Sequence, residues 1–221
     1  MRKSGYVIIE GNIGVGKSTF SAILAEELAA LGCRAEYLPE PDETNNPFLS
    51  DYYRDPKGTA YKMQMHLLHA RFTSTRYAQA AALAGKGWYI LDRSYYGDIC
   101  FAKVQENDGF FTPAEATSYL AAHRNMREFI EPPTAAIFLD AAPEVCADRI
   151  AKRARKCEAS VPLSYLRQLD RQIEKLRLTL ASRCPVIRVE WGDDRTVEEL
   201  HEEARILARR LTESPRADWD F

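Results

Sequence analysis

Hydrophobic positions along this chain alternate between short apolar runs and longer mixed segments. Five runs of four or five residues are rich in aliphatic, β-branched and aromatic side chains, which is typical of β-strands. They cover residues 6–9, 35–38, 88–91, 135–139 and 186–189. Three of the runs are apolar at nearly every position, as expected for strands covered on both faces of a parallel sheet.

The segments between these runs are rich in Ala, Leu, Glu, Arg and Gln, which favour helix. Residues 57–84 predict one long helix that ends at Gly85-Lys86-Gly87. A second helix is predicted over about 113–130, and two more begin after Pro143 and Pro162, because proline is tolerated in a first helical turn. The alternation predicts an α/β fold with a five-stranded parallel sheet and helices on both faces.

Length and the absence of internal divisions predict a single domain. The chain has 221 residues, which fits one large domain better than two. We find no internal repeat, low-complexity tract or linker in the sequence. Residues 1–221 are therefore expected to form one domain, with a loose tail over about 212–221.

The charge balance narrows the classes of partner. Thirty Lys and Arg residues against 32 Asp and Glu leave a net charge of −2, which argues against a protein that coats nucleic acid or anionic lipid. No apolar stretch reaches the roughly 18 residues of a membrane helix. The apolar run behind Met1-Arg2-Lys3 is too short for a secretory signal. We expect a cytoplasmic protein with no nucleic-acid and no membrane partner.

Cysteine and histidine give no sign of a metal centre. The five cysteines are an odd number without a CxxC pair, and the four histidines show no HExxH pattern. Reduced, mostly buried thiols are the expected state.

The most informative motif follows the first predicted strand. Residues 11–18 match GxxxxGK[ST], the phosphate-binding loop, between a strand and a helix. Glycines let backbone N–H groups point at phosphate oxygens, Lys17 reaches the outer phosphates, and the Ser18 hydroxyl ligates Mg²⁺. The predicted nucleotide-binding residues are Gly11, Asn12, Ile13, Gly14, Val15, Gly16, Lys17, Ser18 and Thr19.

Binding a nucleoside triphosphate does not by itself name a reaction. The guanine-reading NKxD sequence of switch GTPases is absent. A motor ATPase would have a strand that ends in an Asp-Glu pair, whereas two strands here run into Asp92-Arg93 and Asp140-Ala141. At this chain length the small kinases become the leading class.

Several further features occur in order along the chain. Glu40-Pro41 follows the second strand, Gln64 and Arg71 lie on the long helix, and Asp92-Arg93-Ser94 ends the third strand. The others are Ile9-Glu10-Gly11-Asn12-Ile13 and the arginines Arg149, Arg153 and Arg155. On these residues the chain resembles the deoxynucleoside kinases, the family of deoxycytidine, deoxyguanosine and deoxyadenosine kinases, over about 6–211. The resemblance implies the P-loop kinase fold.

The resemblance implies roles at the reaction centre. Glu40 would take the proton of the sugar 5′-hydroxyl as that oxygen attacks the γ-phosphorus. Arg93 would pair with Glu40 and the reacting oxygens, while Asp92 would hold Mg²⁺ together with Ser18. The implied catalytic residues are Glu40, Arg93 and Lys17. Without the other motifs, Glu40 would be read as a surface glutamate beside a turn proline, and Asp92-Arg93 as a surface ion pair.

The resemblance also implies which residues hold the deoxynucleoside. Gln64 and Arg71 are seven residues apart and so share a helix face. Gln64 would read the base edge, and Arg71 with Asp98 would complete the base pocket of the deoxycytidine and purine branches. Tyr53 and Glu158 would bind the 3′-hydroxyl. The alternatives are core packing for Tyr53 and a solvated helix end for Glu158.

An arginine-rich lid is implied over about 149–160. Arg149 and Arg153 are four residues apart and can point at one anion, and Arg155 would join them on the triphosphate. The alternative is a solvated basic helix face, which most charge runs are.

Some positions depart from the family pattern. Residues 42–45 and Met63 stand where many relatives have an aromatic residue, and the 99–102 segment is one residue shorter than in animal relatives. Phe101 is a candidate for stacking on the base, with its register open. Residues 191–194 match an adenine-contacting loop only weakly. These departures concern the identity of the base and leave the chemistry unchanged.

The expected activity is transfer of the γ-phosphoryl group of ATP to the 5′-hydroxyl of a deoxynucleoside, with Mg²⁺. Purine deoxynucleosides (deoxyadenosine or deoxyguanosine) are preferred, deoxycytidine is an alternative, and thymidine is disfavoured. A nucleoside-monophosphate kinase would need more cationic residues for the acceptor phosphate. A nucleotide-binding regulator without turnover is disfavoured because Glu40, Asp92 and Glu158 are retained. By likeness, a homodimer would form through helices at about 94–105 and 113–130.

Overall fold

All five predicted strands form one parallel sheet. The computed structural model describes residues 3–41, 46–153 and 161–213, with the side chain of Tyr53 left out. The strands are β1 (Gly5–Gly11), β2 (Ala35–Leu38), β3 (Trp88–Asp92), β4 (Ala135–Asp140) and β5 (Val186–Glu190). Their order across the sheet is β2-β3-β1-β4-β5, and every neighbouring pair is parallel. The α/β prediction and all five strand positions are confirmed.

Eight helices lie among the described residues. They are α1 (Lys17–Ala30), α2 (Leu49–Arg54), α3 (Pro56–Leu83), α4 (Tyr95–Asn107), α5 (Pro113–Arg127), α6 (Pro143–Arg153), α7 (Leu163–Ala181) and α8 (Val197–Glu213). The long helix predicted over 57–84 is α3, displaced by one residue at each end. Its Asp55 side chain caps the first turn by accepting from the Gly58 N–H.

Sequence reasoning did not predict α2 or α8. Helix α2 has six residues, too few for a period to be read. The apolar residues of α8 follow the helical period, and the sequence could have shown it. The buried face of this helix contains Ala204, Leu207, Ala208 and Leu211. Helix α8 also extends through Glu213, past the predicted start of the tail at 212, while residues 214–221 lie outside the described part.

The helices cover the sheet on both faces and enclose two apolar cores. One core contains Tyr6 and Ile8 of β1 and is closed by α3, α4, α5 and α7. The other contains Val7 and Ile9 of the same strand and is closed by α1, α6 and α8. Successive side chains of β1 thus enter opposite layers, which explains its near-continuous apolar character. In the described part of the chain, no helix combines the length and apolarity needed to cross a membrane.

Parallel pairing brings the carboxyl ends of the strands to one edge of the sheet. Ile9 is in register with Asp92 across β1 and β3, and Leu38 with Leu91 across β2 and β3. The segments that follow β1, β2 and β3 therefore meet at this edge, where open α/β sheets bind their ligands.

Candidate active site

The phosphate-binding loop connects β1 to α1 at this edge. Gly14 and Gly16 have φ angles of 80° and 106°, a region that side-chain-bearing residues rarely adopt. A Cβ at Gly14 would lie 2.7 Å from the Cys146 carbonyl oxygen, so the loop packs directly on α6. Its backbone can take the curled path expected of a phosphate cradle only with glycine at these positions.

Lys17 begins α1 and is buried. Its ammonium donates a hydrogen bond to the Asn12 carbonyl oxygen at 2.7 Å. Burial, with a smaller contribution from the nearby Arg93 charge, lowers the pKa of Lys17 to about 8. The Asn12 side chain donates to the Leu166 carbonyl oxygen at 2.9 Å, which ties the loop to α7.

Asp92 lies at the end of β3 beside the first turn of α1. The Ser18 hydroxyl donates to Asp92 Oδ2 at 2.5 Å, and the Tyr37 hydroxyl donates to the same oxygen at 3.3 Å. Asp92 Oδ1 is buried and has no hydrogen-bond partner among the described residues. A carboxylate oxygen without a partner and a hydroxyl with free lone pairs are ligands that Mg²⁺ prefers. These two residues therefore fit a magnesium site.

Glu40 follows β2 and lies between two guanidinium groups. Arg93 Nε donates to Glu40 Oε2 at 2.9 Å, and Arg71 Nη2 donates to the other oxygen. Burial opposes ionisation of this carboxyl, but the charges of Arg93 and Arg71 outweigh it and lower the pKa of Glu40 to about 2. About 28% of its side chain remains exposed, so a ligand can reach it.

Arg93 connects Glu40 to the phosphate-binding loop. Its Nη1 donates to the Gly11 carbonyl oxygen at 3.0 Å. Arg93 is, within the described residues, the one non-glycine residue with a positive φ, at 65°. This conformation is costly for arginine, and strain of this kind is concentrated at functional sites. It turns the guanidinium from the end of β3 towards Glu40.

A buried carboxyl behind this turn was not predicted as a site residue. Glu10 Oε1 accepts hydrogen bonds from the backbone N–H and the hydroxyl of Ser94, at 3.0 and 2.7 Å. Burial raises the pKa of Glu10, although Arg93 and Ser94 act in the opposite direction. Glu10 therefore holds the residue that follows Arg93. The signal available in the sequence was a charged residue within an otherwise apolar strand.

The three predicted base-reading residues form one buried network. Arg71 Nη1 donates to Asp98 Oδ1 at 2.5 Å, and Gln64 Nε2 donates to Asp98 Oδ2 at 2.9 Å. The Tyr119 hydroxyl also donates to Asp98 Oδ2, at 2.5 Å, and was not predicted. Since Arg71 contacts both Asp98 and Glu40, it connects the predicted base-reading residues to the predicted catalytic carboxylate.

Phe101 packs beneath this network. Its ring centroid is 4.5 Å from the Arg93 guanidinium carbon and 5.0 Å from that of Arg71. The ring is buried in the apolar core closed by α3, α4, α5 and α7, and these two guanidinium groups lie at cation–π distance from it.

The lid arginines are only partly described. Arg149 donates to the carbonyl oxygens of Val15, Trp191 and Asp193, at 3.3, 2.9 and 2.8 Å, and so joins α6 to the phosphate-binding loop and to the 191–194 segment. Arg153 is exposed at the end of α6. Arg155 and Glu158 lie outside the described residues, as does the side chain of Tyr53 on α2.

Trp191 lies beside the phosphate-binding loop. A Cβ at Gly16 would be 3.2 Å from Trp191 Nε1, and the indole meets the Phe20 ring edge-on at a centroid distance of 5.0 Å. The 191–194 segment therefore borders the phosphate-binding loop, and its contact with adenine stays a prediction.

The family model described as deoxynucleoside kinase matches residues 7–212. The deoxyguanosine kinase of Dictyostelium discoideum is 34% identical over 191 residues, which are 86% of this chain and 65% of that protein. The deoxyadenosine kinase of the same organism is 30% identical over 195 residues, 88% of this chain and 76% of that protein. This chain thus spans about two thirds to three quarters of the length of these two relatives.

Solved structures extend the likeness to the fold. The structure of deoxyadenosine kinase from M. mycoides with dCMP and a flexible dCDP bound is similar with a TM-score of 0.78 and 25% identity, over 93% of this chain and 98% of that one. Its structure with bound dATP is similar with a TM-score of 0.75 and 27% identity, over 90% and 96%. The P-loop kinase fold expected from the sequence is confirmed.

Proposed function

This chain belongs to the deoxynucleoside kinase family, and from that premise we propose that it transfers the γ-phosphoryl group of ATP to the 5′-hydroxyl of a deoxynucleoside. The observation that carries the proposal is the position of the Glu40 carboxylate, which Arg93 joins to the backbone of the phosphate-binding loop. An ionised acid thus lies close to the loop that would bind the phosphates, with part of its surface open to an acceptor.

In the proposed reaction the sugar oxygen forms a bond to the γ-phosphorus while the bond from that phosphorus to the ADP oxygen breaks. Glu40 accepts the hydroxyl proton. Its lowered pKa makes it a weak base, but a loose transition state needs little proton transfer before the bonds change. The lone pair that each Glu40 oxygen retains beside its arginine partner is sufficient to bind the hydroxyl.

Two cations would stabilise the transferred group. The ammonium of Lys17 and the guanidinium of Arg93 are both buried beside the phosphate-binding loop, where charge interactions are stronger than in water. Arg93 is positioned by the Gly11 carbonyl oxygen and the Glu40 carboxylate, and Glu10 holds the adjacent Ser94. Such preorganisation lowers the barrier because little reorganisation is needed during the reaction.

Asp92 and Ser18 would hold Mg²⁺. Bound there, the ion would neutralise charge on the phosphate oxygens of ATP. Among the described residues no cluster of three or more His, Cys, Asp or Glu side chains could hold a metal. That agrees with Mg²⁺, which is usually held by one or two carboxylates together with substrate phosphates.

Purine deoxynucleosides are the proposed substrates, with deoxycytidine as the alternative. The D. discoideum relatives named as deoxyguanosine and deoxyadenosine kinases support a purine. The M. mycoides deoxyadenosine kinase was solved with dCMP, which supports acceptance of cytosine as well. Gln64, Arg71 and Asp98 would contact the base, while Tyr53 and Glu158 would contact the 3′-hydroxyl.

The remaining assignments are also part of the proposal. One domain would span 1–221, and Arg149, Arg153 and Arg155 would belong to a lid that closes on the triphosphate. A homodimer is proposed by likeness, although most apolar residues of α4 are buried within their own chain. Light scattering would test it. A cytoplasmic location is proposed because the cysteine spacing does not predict disulfides.

The experiment that tests the activity is a panel of acceptors. Consumption of ATP with Mg²⁺ is measured with deoxyadenosine, deoxyguanosine, deoxycytidine and thymidine offered separately, and with the four corresponding monophosphates. We expect turnover with purine deoxynucleosides and none with monophosphates. Turnover with monophosphates alone would replace the proposal by a monophosphate kinase. Tight ATP binding without any turnover would indicate a nucleotide-binding regulator.

A further inference from the structure

Gln105 is a buried amide beside the predicted base-reading residues, and no motif pointed to it. It lies on α4, seven residues after Asp98, so the two side chains share one face of the helix. Only 1% of Gln105 is exposed. Its Nε2 donates a hydrogen bond to Gln64 Oε1 at 3.0 Å. Gln105 is thus directly bonded to the residue expected to read the base.

This bond fixes which way the amide of Gln64 points. Gln64 Nε2 donates to Asp98 Oδ2 at 2.9 Å and to the Asp98 carbonyl oxygen at 3.2 Å. Both hydrogens of the Gln64 amide are therefore directed at Asp98, while its carbonyl oxygen faces Gln105. In this orientation Gln64 can offer a ligand only the second lone pair of its carbonyl oxygen.

Hydrogen bonds join four side chains in a row, in the order Gln105, Gln64, Asp98 and Arg71. Two of the buried side-chain atoms that have no hydrogen-bond partner in the described part of the chain lie at the two ends of the row. They are the carbonyl oxygen of Gln105 and the Nε of Arg71, both buried. Buried polar atoms without a partner are rare and costly, so each needs an explanation.

A ligand that donates at one end of the row and accepts at the other would satisfy both atoms. We propose that Gln105 is a specificity-determining residue whose carbonyl oxygen accepts a hydrogen bond from the exocyclic amino group of the base. The inference rests on the proposed function, because it takes a deoxynucleoside as the ligand. Arg71 Nε would donate to a ring nitrogen or carbonyl oxygen of the same base.

The chemistry of the four bases makes this selective. Adenine, guanine and cytosine each carry an exocyclic amino group, whereas thymine carries carbonyl oxygens. An oxygen placed against Gln105 Oε1 would leave two acceptors facing each other in a buried site, which opposes binding. Gln105 would therefore admit amino-bearing bases and reject thymine independently of the charges of Arg71 and Asp98.

The test compares a substrate with its analogue from which only the amino group is missing. For deoxyadenosine this is 2′-deoxynebularine, and for deoxyguanosine it is deoxyinosine. With the wild-type protein we expect kcat/KM to fall about tenfold or more on loss of the amino group that contacts Gln105. The Gln105→Met variant keeps the length of the side chain without its amide. In this variant kcat/KM should differ by less than about threefold between the substrate and its analogue.

The ratio of kcat/KM for the substrate to kcat/KM for its analogue is measured on one preparation of each protein. It therefore does not depend on the fraction of folded enzyme. Gln79→Met is the matched control, because Gln79 is also a buried amide on α3 but contacts the backbone of Phe129 and Glu131. Its ratio should equal that of the wild type.

Two results would overturn the inference alone, while deoxynucleoside turnover persists. One is equal kcat/KM for substrate and analogue in the wild type, which decides the question even if Gln105→Met does not fold. The other is an undiminished ratio in Gln105→Met. Failure of the wild type to phosphorylate any deoxynucleoside would instead reject the proposed function, and this inference with it.

Discussion

Arg93 Nε and Glu40 Oε2 are 2.9 Å apart, and their salt bridge joins the segments that follow two neighbouring strands of the sheet. Arg93 also donates to the Gly11 carbonyl oxygen at 3.0 Å, so three strand ends are connected through one guanidinium. Arg71 contacts Glu40 from α3 and extends the connection to Asp98. The carboxylate proposed as the base is therefore held by charges from both sides.

Glu40→Gln should lower kcat by about 10² or more, because the amide cannot accept the hydroxyl proton. Binding of the deoxynucleoside, measured by calorimetry, should change little. Glu36→Gln is the matched control, since Glu36 lies on β2, the strand that precedes Glu40, but contacts the exposed Tyr77 hydroxyl, and it should keep full turnover. Unchanged turnover in Glu40→Gln would remove Glu40 from the catalytic role.

The activity should fall at high pH but not at moderately low pH. A lowered pKa means that Lys17 loses its charge as the pH rises through about 8, so kcat/KM for ATP should decline above that pH in the free enzyme. Bound phosphates favour the charged ammonium, and the decline of kcat should therefore begin at a higher pH. Glu40, with a pKa of about 2, should stay ionised and cause no loss between pH 5 and 8. Steady-state kinetics from pH 5 to 10 test both limbs, and an acid limb near pH 6 would contradict the assignment.

Arg71→Met combined with Asp98→Ala should reduce kcat/KM for purine deoxynucleosides and raise it for thymidine. Both residues are replaced together, because replacing only one would leave the charge of the other buried without this partner. Kinetics with the four deoxynucleosides measure the change. As a control, Arg167→Met with Glu144→Ala removes an exposed pair 2.7 Å apart and should leave base preference unchanged. An unaltered preference in the buried double variant would reject the pair as a reader of the base.

Gly97→Ala should impair both folding and turnover. A Cβ at Gly97 would lie 2.3 Å from Glu10 Oε2, so Glu10 would be forced away from Ser94 and the turn at Arg93 would move. Alanine normally stabilises a helix interior by about 1 kcal/mol relative to glycine, but here the free energy of unfolding should fall by about 1 to 3 kcal/mol. Denaturant unfolding and kcat measure the two effects. Gly192→Ala is the control, because its Cβ would meet no atom within 4 Å.

Asp92→Asn should raise the Mg²⁺ concentration required for half-maximal activity by about tenfold or more, because a neutral amide is a weaker ligand than a carboxylate. Activity is titrated against free Mg²⁺ at fixed ATP, and EDTA should abolish turnover of the wild type. Asp140→Asn provides the comparison, since Asp140 also ends a strand of the same sheet, β4, but is paired with Arg188. An identical Mg²⁺ requirement in Asp92→Asn would exclude that carboxylate from the metal site.

Sequence patterns predicted much of the fold and the phosphate-binding loop, whereas family resemblance supplied the other candidate site residues. The five strands and the phosphate-binding loop depend on local features, namely apolar runs and glycine spacing, which are visible in any one stretch of chain. Glu40, Arg93, Gln64, Arg71 and Asp98 were named through family resemblance, and they do lie in one connected network. Arg149 donates to three backbone carbonyl oxygens and lies 3.6 Å from Asp194 Oδ1, and its place in a lid over the triphosphate stays a prediction.

By itself the sequence determined where the chain would form strands and helices and where phosphates would bind, because backbone propensity and side-chain period act over a few neighbouring residues. Only the tertiary structure decided which polar atoms are paired. Gln105 and Gln64 are 41 residues apart in the chain, and Glu10 and Ser94 are 84 apart. Whether such groups meet depends on how α3, α4 and the sheet pack, and a buried atom left without a partner can be recognised only after every neighbour is in place.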